Sequence, residues 1–462
     1  MNNLSLAVCT ALFGTGLAFS WVTQGTGVVA NDPSAGINIP DELQFPLQVQ
    51  ASYNAENIFM RMRWPSATAG VLHEFWVYDG TEWKRDRSRS EDRLTFLLDN
   101  GSIPEFGRYG GYITVGAGIR GLPGAPTADE IRAHPTFGTY NISDLRKSVP
   151  SIRTDQQDWT SVRPREVLDA QREAGQFLDL WHWRGGRANA IGYSDDQVVD
   201  VTRRNDAGRG ASATNFNSDA GHPILMFDPD EVGFRAWNWD DLHSIGFHDV
   251  NALLPTNSMP FDPDAGWQAG DTLPYVFLRE PEGARAAIRV DPNTVWDNGY
   301  WDLTLVRALD TGFPLDDKVL KDQGEYQIAF AVHRDNTGNR WHYVSLPYTL
   351  DLGRGDARIV AQKFSGDAPI WGDDWTRVDL FYPGVTTYPM LLSHAHAGAN
   401  AMRQGIPADA HHTPGQLARY GLESEFTAQI QAQWWKTIAA GLVLIAGFGI
   451  AGLRLTNARK EV

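Results

Sequence analysis

The stretch Tyr326–Tyr348, YQIAFAVHRDNTGNRWHYVSLPY, decides how this chain is read. Tyr326, Ile328, Phe330 and Val332 alternate with Gln327, Ala329, Ala331 and His333. A period of two marks a strand with one buried face. Asp335-Asn336-Thr337-Gly338-Asn339 carries turn chemistry. A second strand follows, with His342, Val344 and Leu346 on one face. A lone histidine among aliphatic residues is ordinarily a satisfied core residue. Neutral imidazole is also a strong metal ligand, so His342 is a candidate site residue.

Working outward, short strand patterns recur. Asn57–Trp64 alternates Ile58, Met60, Met62 and Trp64 against Phe59, Arg61 and Arg63. Val71–Tyr78 places Val71, His73, Phe75 and Val77 on a shared face, so His73 is a second histidine on an apolar strand. Phe177–Trp183 and Trp301–Leu309 are further strands, and turn residues separate them all. The 17 Trp, 45 Gly and 25 Pro fit short strands and tight turns better than helices. The pattern predicts an all-β chain, an antiparallel β-sandwich with long loop insertions.

The ends differ from the middle. Met1–Asn31 carries no charge and Leu4–Val22 is apolar, which predicts a signal peptide (1–30, with Val28-Val29-Ala30 as its cleavage site) or an N-terminal anchor. Residues 31–43 form a linker and 44–385 the β domain. Residues 386–433 form a helical stalk, 434–455 one C-terminal transmembrane helix and 456–462 a cytoplasmic tail. Thr437–Leu453 is uncharged, between Lys436 and Arg454 and preceded by Trp434-Trp435, and roughly 17–20 apolar residues suffice to span a bilayer. Arg454, Arg459 and Lys460 place the tail inside by the positive-inside rule, and the large domain on the periplasmic side of the inner membrane.

The formal net charge of −16 argues against nucleic acid as a partner. It is compatible with a basic redox partner. Cys9 is the single cysteine, so disulfides, cysteine-ligated zinc and iron–sulfur clusters are excluded from the folded domain. No phosphate loop, nucleophile elbow or His-Glu-x-x-His motif occurs. His394-x-His396 and His411-His412 are candidate metal pairs of a kind common by chance. Phe-Asp-Pro-Asp, at Phe227–Asp230 and Phe261–Asp264, reads as turns, since the spacing of a calcium loop is absent.

Leu180–Gln197, LWHWRGGRANAIGYSDDQ, resembles the aromatic, Arg and Gly-Tyr-Asp-Asp signature of the ethylbenzene dehydrogenase-like haem-binding family. That family includes γ subunits of dimethyl-sulfoxide-reductase-type enzymes and related periplasmic cytochromes. Trp301-Asp302 through Leu309, Tyr326–Val332, Pro369-Ile370-Trp371 and Pro383-Gly384 resemble further landmarks, so the likeness covers about residues 45–412. The γ subunits hold a b-type haem between Met and Lys, the Lys in a Lys-x-x-Ser setting. Here His342-Tyr343-Val344-Ser345 stands in that setting. The resemblance therefore implies a non-covalent haem b, with His342 as axial ligand and His73, or second His182, opposite. Arg187 falls within the signature as a cofactor-binding residue. The c-type relatives carry Cys-x-x-Cys-His twice. Gly111–Gly116 lacks the first motif, and Pro407–His411 keeps only His411 of the second. Two readings follow. One is a non-catalytic electron-transfer protein or subunit of a respiratory oxidoreductase. The other is a haem-free accessory or structural binding subunit of such a complex.

Overall fold

The structure is a computed structural model that describes residues 3–22, 31, 37, 39–122, 124–334 and 342–458. The turn 335–339, the cleavage-site residues 28–30 and the tail residues Arg459 and Lys460 lie outside the described residues. The chain separates into two compact units. One comprises Met1–Leu43, Pro383–Thr386 and Gly415–Val462, and the other Gln44–Tyr382 and Thr387–Pro414.

The second unit is mostly β. Its main sheet has 14 strands. They are β1 (Gln44–Tyr53), β2 (Asn57–Pro65), β3 (Arg93–Asp99), β4 (Leu178–Arg184), β5 (Asp195–Val199), β6 (Arg203–Asn205), β7 (Arg289–Val290), β8 (Val295–Asp297), β9 (Tyr300–Ala308), β10 (Glu325–His333), β11 (His342–Val344), β12 (Tyr348–Leu352), β13 (Ile359–Lys363) and β14 (Thr376–Phe381). The hydrogen-bonded path runs β7-β9-β2-β1-β13-β12-β10-β3-β4-β5-β6, and β8 pairs with β9. Strand β11 joins β10 to β14, and β14 pairs with β1. Strands β1, β13, β12, β10, β11 and β14 thus close a ring of six.

Two details depart from the sequence expectation. Strand β13 is parallel to both β1 and β12, whereas antiparallel pairing is expected throughout. The Asp351 carboxylate accepts backbone N–H bonds from Arg354, Gly355, Asp356 and Ala357 at 2.8–3.0 Å. This folds the link tightly enough for Ile359 to return beside Leu350. The predicted strand Val71–Tyr78 is reduced to Phe75–Tyr78. Glu74 takes φ +47°, a left-handed conformation that breaks a strand, so His73 does not share a strand face with Phe75.

Away from the ring, β2 and β9 pack on β4 through tryptophan. Trp64 and Trp301 stack at 6.1 Å, and Trp183 meets them edge-on at 5.7 and 4.9 Å. All three are buried, and Trp301 Nε1 donates to the buried Asp92 carboxylate at 2.8 Å. Truncating such a residue to alanine costs about 3–5 kcal/mol. The aromatic-rich stretch after Gly233 belongs to a separate four-stranded sheet, ordered Trp237–Asn238, Asp271–Pro274, Phe75–Tyr78, Trp83–Asp86. Its core is Phe75, Trp76, Trp83, Phe227, Trp237 and Leu273.

The helices Tyr388–Leu392 and Ala399–Arg403 lie within the β unit. In the other unit, Phe13 of the helix Asn3–Val22 lies against Gly441 of the helix Thr427–Ala458. Within that second helix, Thr427–Ile450 is long and apolar enough to cross a membrane. Its large apolar residues, among them Leu442, Val443, Leu444 and Phe448, are exposed.

Candidate functional site: a cationic interior face bearing stacked imidazoles

In an antiparallel pair, directly opposed residues share a face. His342 opposes His333, His333 opposes Arg93, and Arg93 opposes Arg184. The next row carries Val344, Ala331, Thr95, His182 and Asp195. One interior face of β11, β10, β3, β4 and β5 is therefore polar. Tyr343 points the other way and packs edge-on against Phe45 at 4.6 Å, which fixes the direction of His342. His342 and Val344 share a face as the alternation predicts, but that face is lined by imidazole and guanidinium rather than by aliphatic core.

The rings of His333 and His342 stack at 5.2 Å with 20° between planes. Burial holds His333 well below the usual imidazole range, and the charges of His342, Arg93, Lys147 and Arg203 act the same way. Its Nδ1 is buried without a hydrogen-bond partner. His182 is buried, and its Nδ1 lies 2.9 Å from Gln197 Oε1. Gln197 gives its own amide N–H to Asn205 at 2.7 Å, which orients Oε1 toward the histidine. His182 Nδ1 is then the donor, and Nε2 keeps the lone pair that a metal needs.

Positive charge is in excess here. Burial, then repulsion from Arg203, pushes Lys147 down to about 8. Burial pushes Arg203 down to about 10, with Arg146, Arg93 and Arg187 adding to it. Arg184 is pushed to about 9 by burial and by Arg187, although Asp195 lies 3.1 Å from its Nε. His333, His342, Lys147 and Arg203 all keep some accessible surface. Arg203 also lines a cleft of about 440 Å³ with Tyr140, Arg146, Arg165, Arg172 and Arg204.

His73 and Arg187 sit together in a different cluster. Arg187 donates to Glu91 through Nε (2.7 Å) and Nη2 (2.5 Å), and Gly186 N–H donates to the same carboxylate. Burial opposes the charge of Glu91, but Arg187, His73 and Arg93 outweigh it and hold the carboxyl below its usual range. Burial pushes His73, whose Nδ1 lies 3.8 Å from Glu91, down to about 3. So of the predicted residues, His342 and His182 line the polar face, whereas His73 and Arg187 gather round Glu91. Sequence reasoning missed His333, although any symmetric hairpin about Thr337-Gly338 sets it opposite His342. It also missed Arg93, Lys147 and Arg203, which carry no local motif.

The other histidine pairs resolve differently. His396 Nε2 and His412 Nε2 are 2.9 Å apart, and the His411 ring lies 4.5 Å from that of His412. Burial, with His412 and His411, pushes His396 down to about 4, so one neutral imidazole donates to the other. His394 is exposed.

The segment over the polar face is closely filled. Tyr112, Ile113 and Thr114 are buried, and Lys147 Nζ donates to Thr114 Oγ1 at 3.2 Å. A Cβ at Gly116 would meet Arg153 Nη1 at 2.3 Å.

A mostly-β domain thus carries one polar strand face on which two stacked imidazoles lie among buried cations. The model of the ethylbenzene dehydrogenase family matches residues 24–345, and the chain belongs to that family. No curated protein matches it.

Proposed function

We propose that this chain is a non-catalytic haem b subunit that passes electrons within an oxidoreductase complex. The observation that carries it is the stacked His333–His342 pair beside two buried cations, Lys147 and Arg203, with little opposing charge. A haem supplies what this face needs: an iron for one neutral imidazole and two carboxylates for the two cations. Because the rings lie side by side on neighbouring strands, one of the pair binds the iron. His342 is the choice, in keeping with its Lys-x-x-Ser setting, and His333 packs against it. His182, with Nε2 unprotonated, and His73 are the candidates for the opposite position. Two protein ligands leave no position for substrate, which favours electron transfer over catalysis. Family membership supports an association with oxidoreductase subunits.

In this reading Thr427–Ile450 anchors the chain, with the β unit on the periplasmic side and Asn3–Val22 as a signal peptide or second span. In the same reading the sheet arms packed through Trp64, Trp183 and Trp301 would supply the two layers of the expected sandwich. A second reading is favoured by the filling of the 112–116 segment. There the haem is lost together with its covalent attachment, and the chain is an accessory binding subunit.

A reduced-minus-oxidised spectrum with a pyridine haemochrome assay separates them. The first reading requires a sharp reduced α-band from acid-extractable haem, absent in His342→Ala. A flat spectrum from haem-replete cells supports the second. An unchanged spectrum in His342→Ala reassigns the ligand to His333 or His182.

A further inference from the structure

The opposite face of β4 and β5 holds a second buried polar cluster, separate from the imidazoles. Asp179, Asp196 and Asp317 each offer one carboxylate oxygen, and these lie within 4.8 Å of one another. Asp179 and Asp196 are fully buried and Asp317 nearly so. A calcium ion binds oxygen at roughly 2.3–2.6 Å, so oxygens on opposite sides of one ion stand about 4.8 Å apart.

The spare donors are the second observation. Among the described residues Asp179 Oδ1 has no hydrogen-bond partner, and the oxygens of Asp196, a residue with no exposed surface, meet no donor other than the Asp317 carboxyl. Asp206, 4% exposed, also has both oxygens unpartnered, and its charge acts on Asp196. Compensation is short. Arg307 Nη1 reaches Asp179 at 2.7 Å and Asp317 at 3.4 Å, and Thr311 Oγ1 donates to Asp317 at 2.5 Å. Burial and the neighbouring carboxylates push Asp206 up to about 9. The four carboxylates face the Arg307 guanidinium, with Arg204 acting on Asp206 and the Lys318 backbone N–H donating to Asp179 at 2.9 Å, and oxygens are left over. A buried acceptor left unpaired loses its hydration without replacement.

We infer that Asp179, Asp196, Asp206 and Asp317 form a structural calcium site between the β4–β5 pair and the segment after β9. The donor set is all oxygen and contains no nitrogen or sulfur, which selects a hard cation over zinc or copper. The site is buried and its donors come from four separate segments, two of them strands. It therefore suits the larger ion with flexible coordination better than magnesium, which keeps several waters.

The inference does not depend on haem. Full-length, detergent-solubilised protein is desalted and its metals are measured by plasma mass spectrometry. The site requires about one calcium per chain and a lower unfolding temperature after exhaustive chelation that calcium restores and magnesium does not. After chelation, Tb3+ emission excited through tryptophan should appear in the wild type, with Trp181 beside Arg307 as donor. Asp196→Asn should weaken Tb3+ binding at least tenfold. If Asp196→Asn does not fold, the wild-type metal content and chelation shift decide alone. No calcium, no shift on chelation and no Tb3+ emission would overturn the site and leave a cluster that neutralises itself with protons.

Discussion

Strand β4 reads Leu178-Asp179-Leu180-Trp181-His182-Trp183-Arg184, and alternate residues serve opposite faces. On one, His182 and Arg184 join a face with excess positive charge. On the other, Asp179 and Trp181 join a cluster with excess negative charge. Asp195 and Asp196 split the same way: the first pairs with Arg184 and Arg285, the second lies in the anionic group. Neither imbalance is of the kind a protein keeps for stability, because a desolvated charge without a partner is costly. One strand pair therefore separates two opposite charge imbalances, positive on the first face and negative on the second.

Removing the buried guanidinium of the anionic face should have the largest effect. Burial works against the Arg307 charge, but Asp179 and Asp317 outweigh it and raise its pKa. Arg307→Ala should lower stability by about 3–5 kcal/mol in urea titration. A loss under 1 kcal/mol would show that the carboxylates balance themselves with protons.

Acid and alkali should probe the two faces with opposite sign. His73, His182 and His333 are held below the ordinary imidazole value of 6.5, chiefly by burial, so they stay neutral when folded and take up protons on unfolding. Their contribution falls as pH drops below 6.5, by roughly 1.4 kcal/mol per pH unit for each. Asp206, raised from 3.8 to about 9, keeps its proton when folded and loses it on unfolding. Its contribution falls as pH climbs between those values. Urea midpoints in chelator should therefore decline on both sides of a maximum, and calcium should flatten the alkaline limb alone. A single acid limb, unchanged by calcium, would undo the comparison.

On the cationic face, Lys147→Met should stabilise the ligand-free protein by about 1 kcal/mol, because it removes a desolvated charge repelled by Arg203. The same substitution should weaken haem retention if haem is bound there, read as a lower haem-to-protein ratio. Arg165→Ala serves as the exposed control. Its ion pair with Asp169 lies at the surface, and its loss should change stability by less than about 0.5 kcal/mol.

Much of the β architecture was legible. The strand periods at Asn57–Trp64, Phe177–Trp183, Trp301–Leu309 and Tyr326–Val332 correspond to β2, β4, β9 and β10. His73 was misread because one positive φ at Glu74 interrupts the alternation, and hydrophobic pattern does not report that angle. The parallel strand β13 escaped because its return depends on the Asp351 carboxylate binding four amides, a local cage with no periodic signal. His182 and His342 were found from a motif and a strand face, yet their neighbours were not.

By itself, the sequence determined the strand periods, the apolar C-terminal stretch, the absence of cysteine from the folded domain and the family. Those are properties of neighbouring residues and of composition. The tertiary structure alone decided that His333 stacks on His342 with Lys147 and Arg203 near enough to act on His333, and that Asp179, Asp196 and Asp317 converge with Asp206 acting on them. The reason is physical. Each cluster draws on segments far apart in the chain, and a charge shows its imbalance only when burial strips its water and sets it beside charges of the same sign.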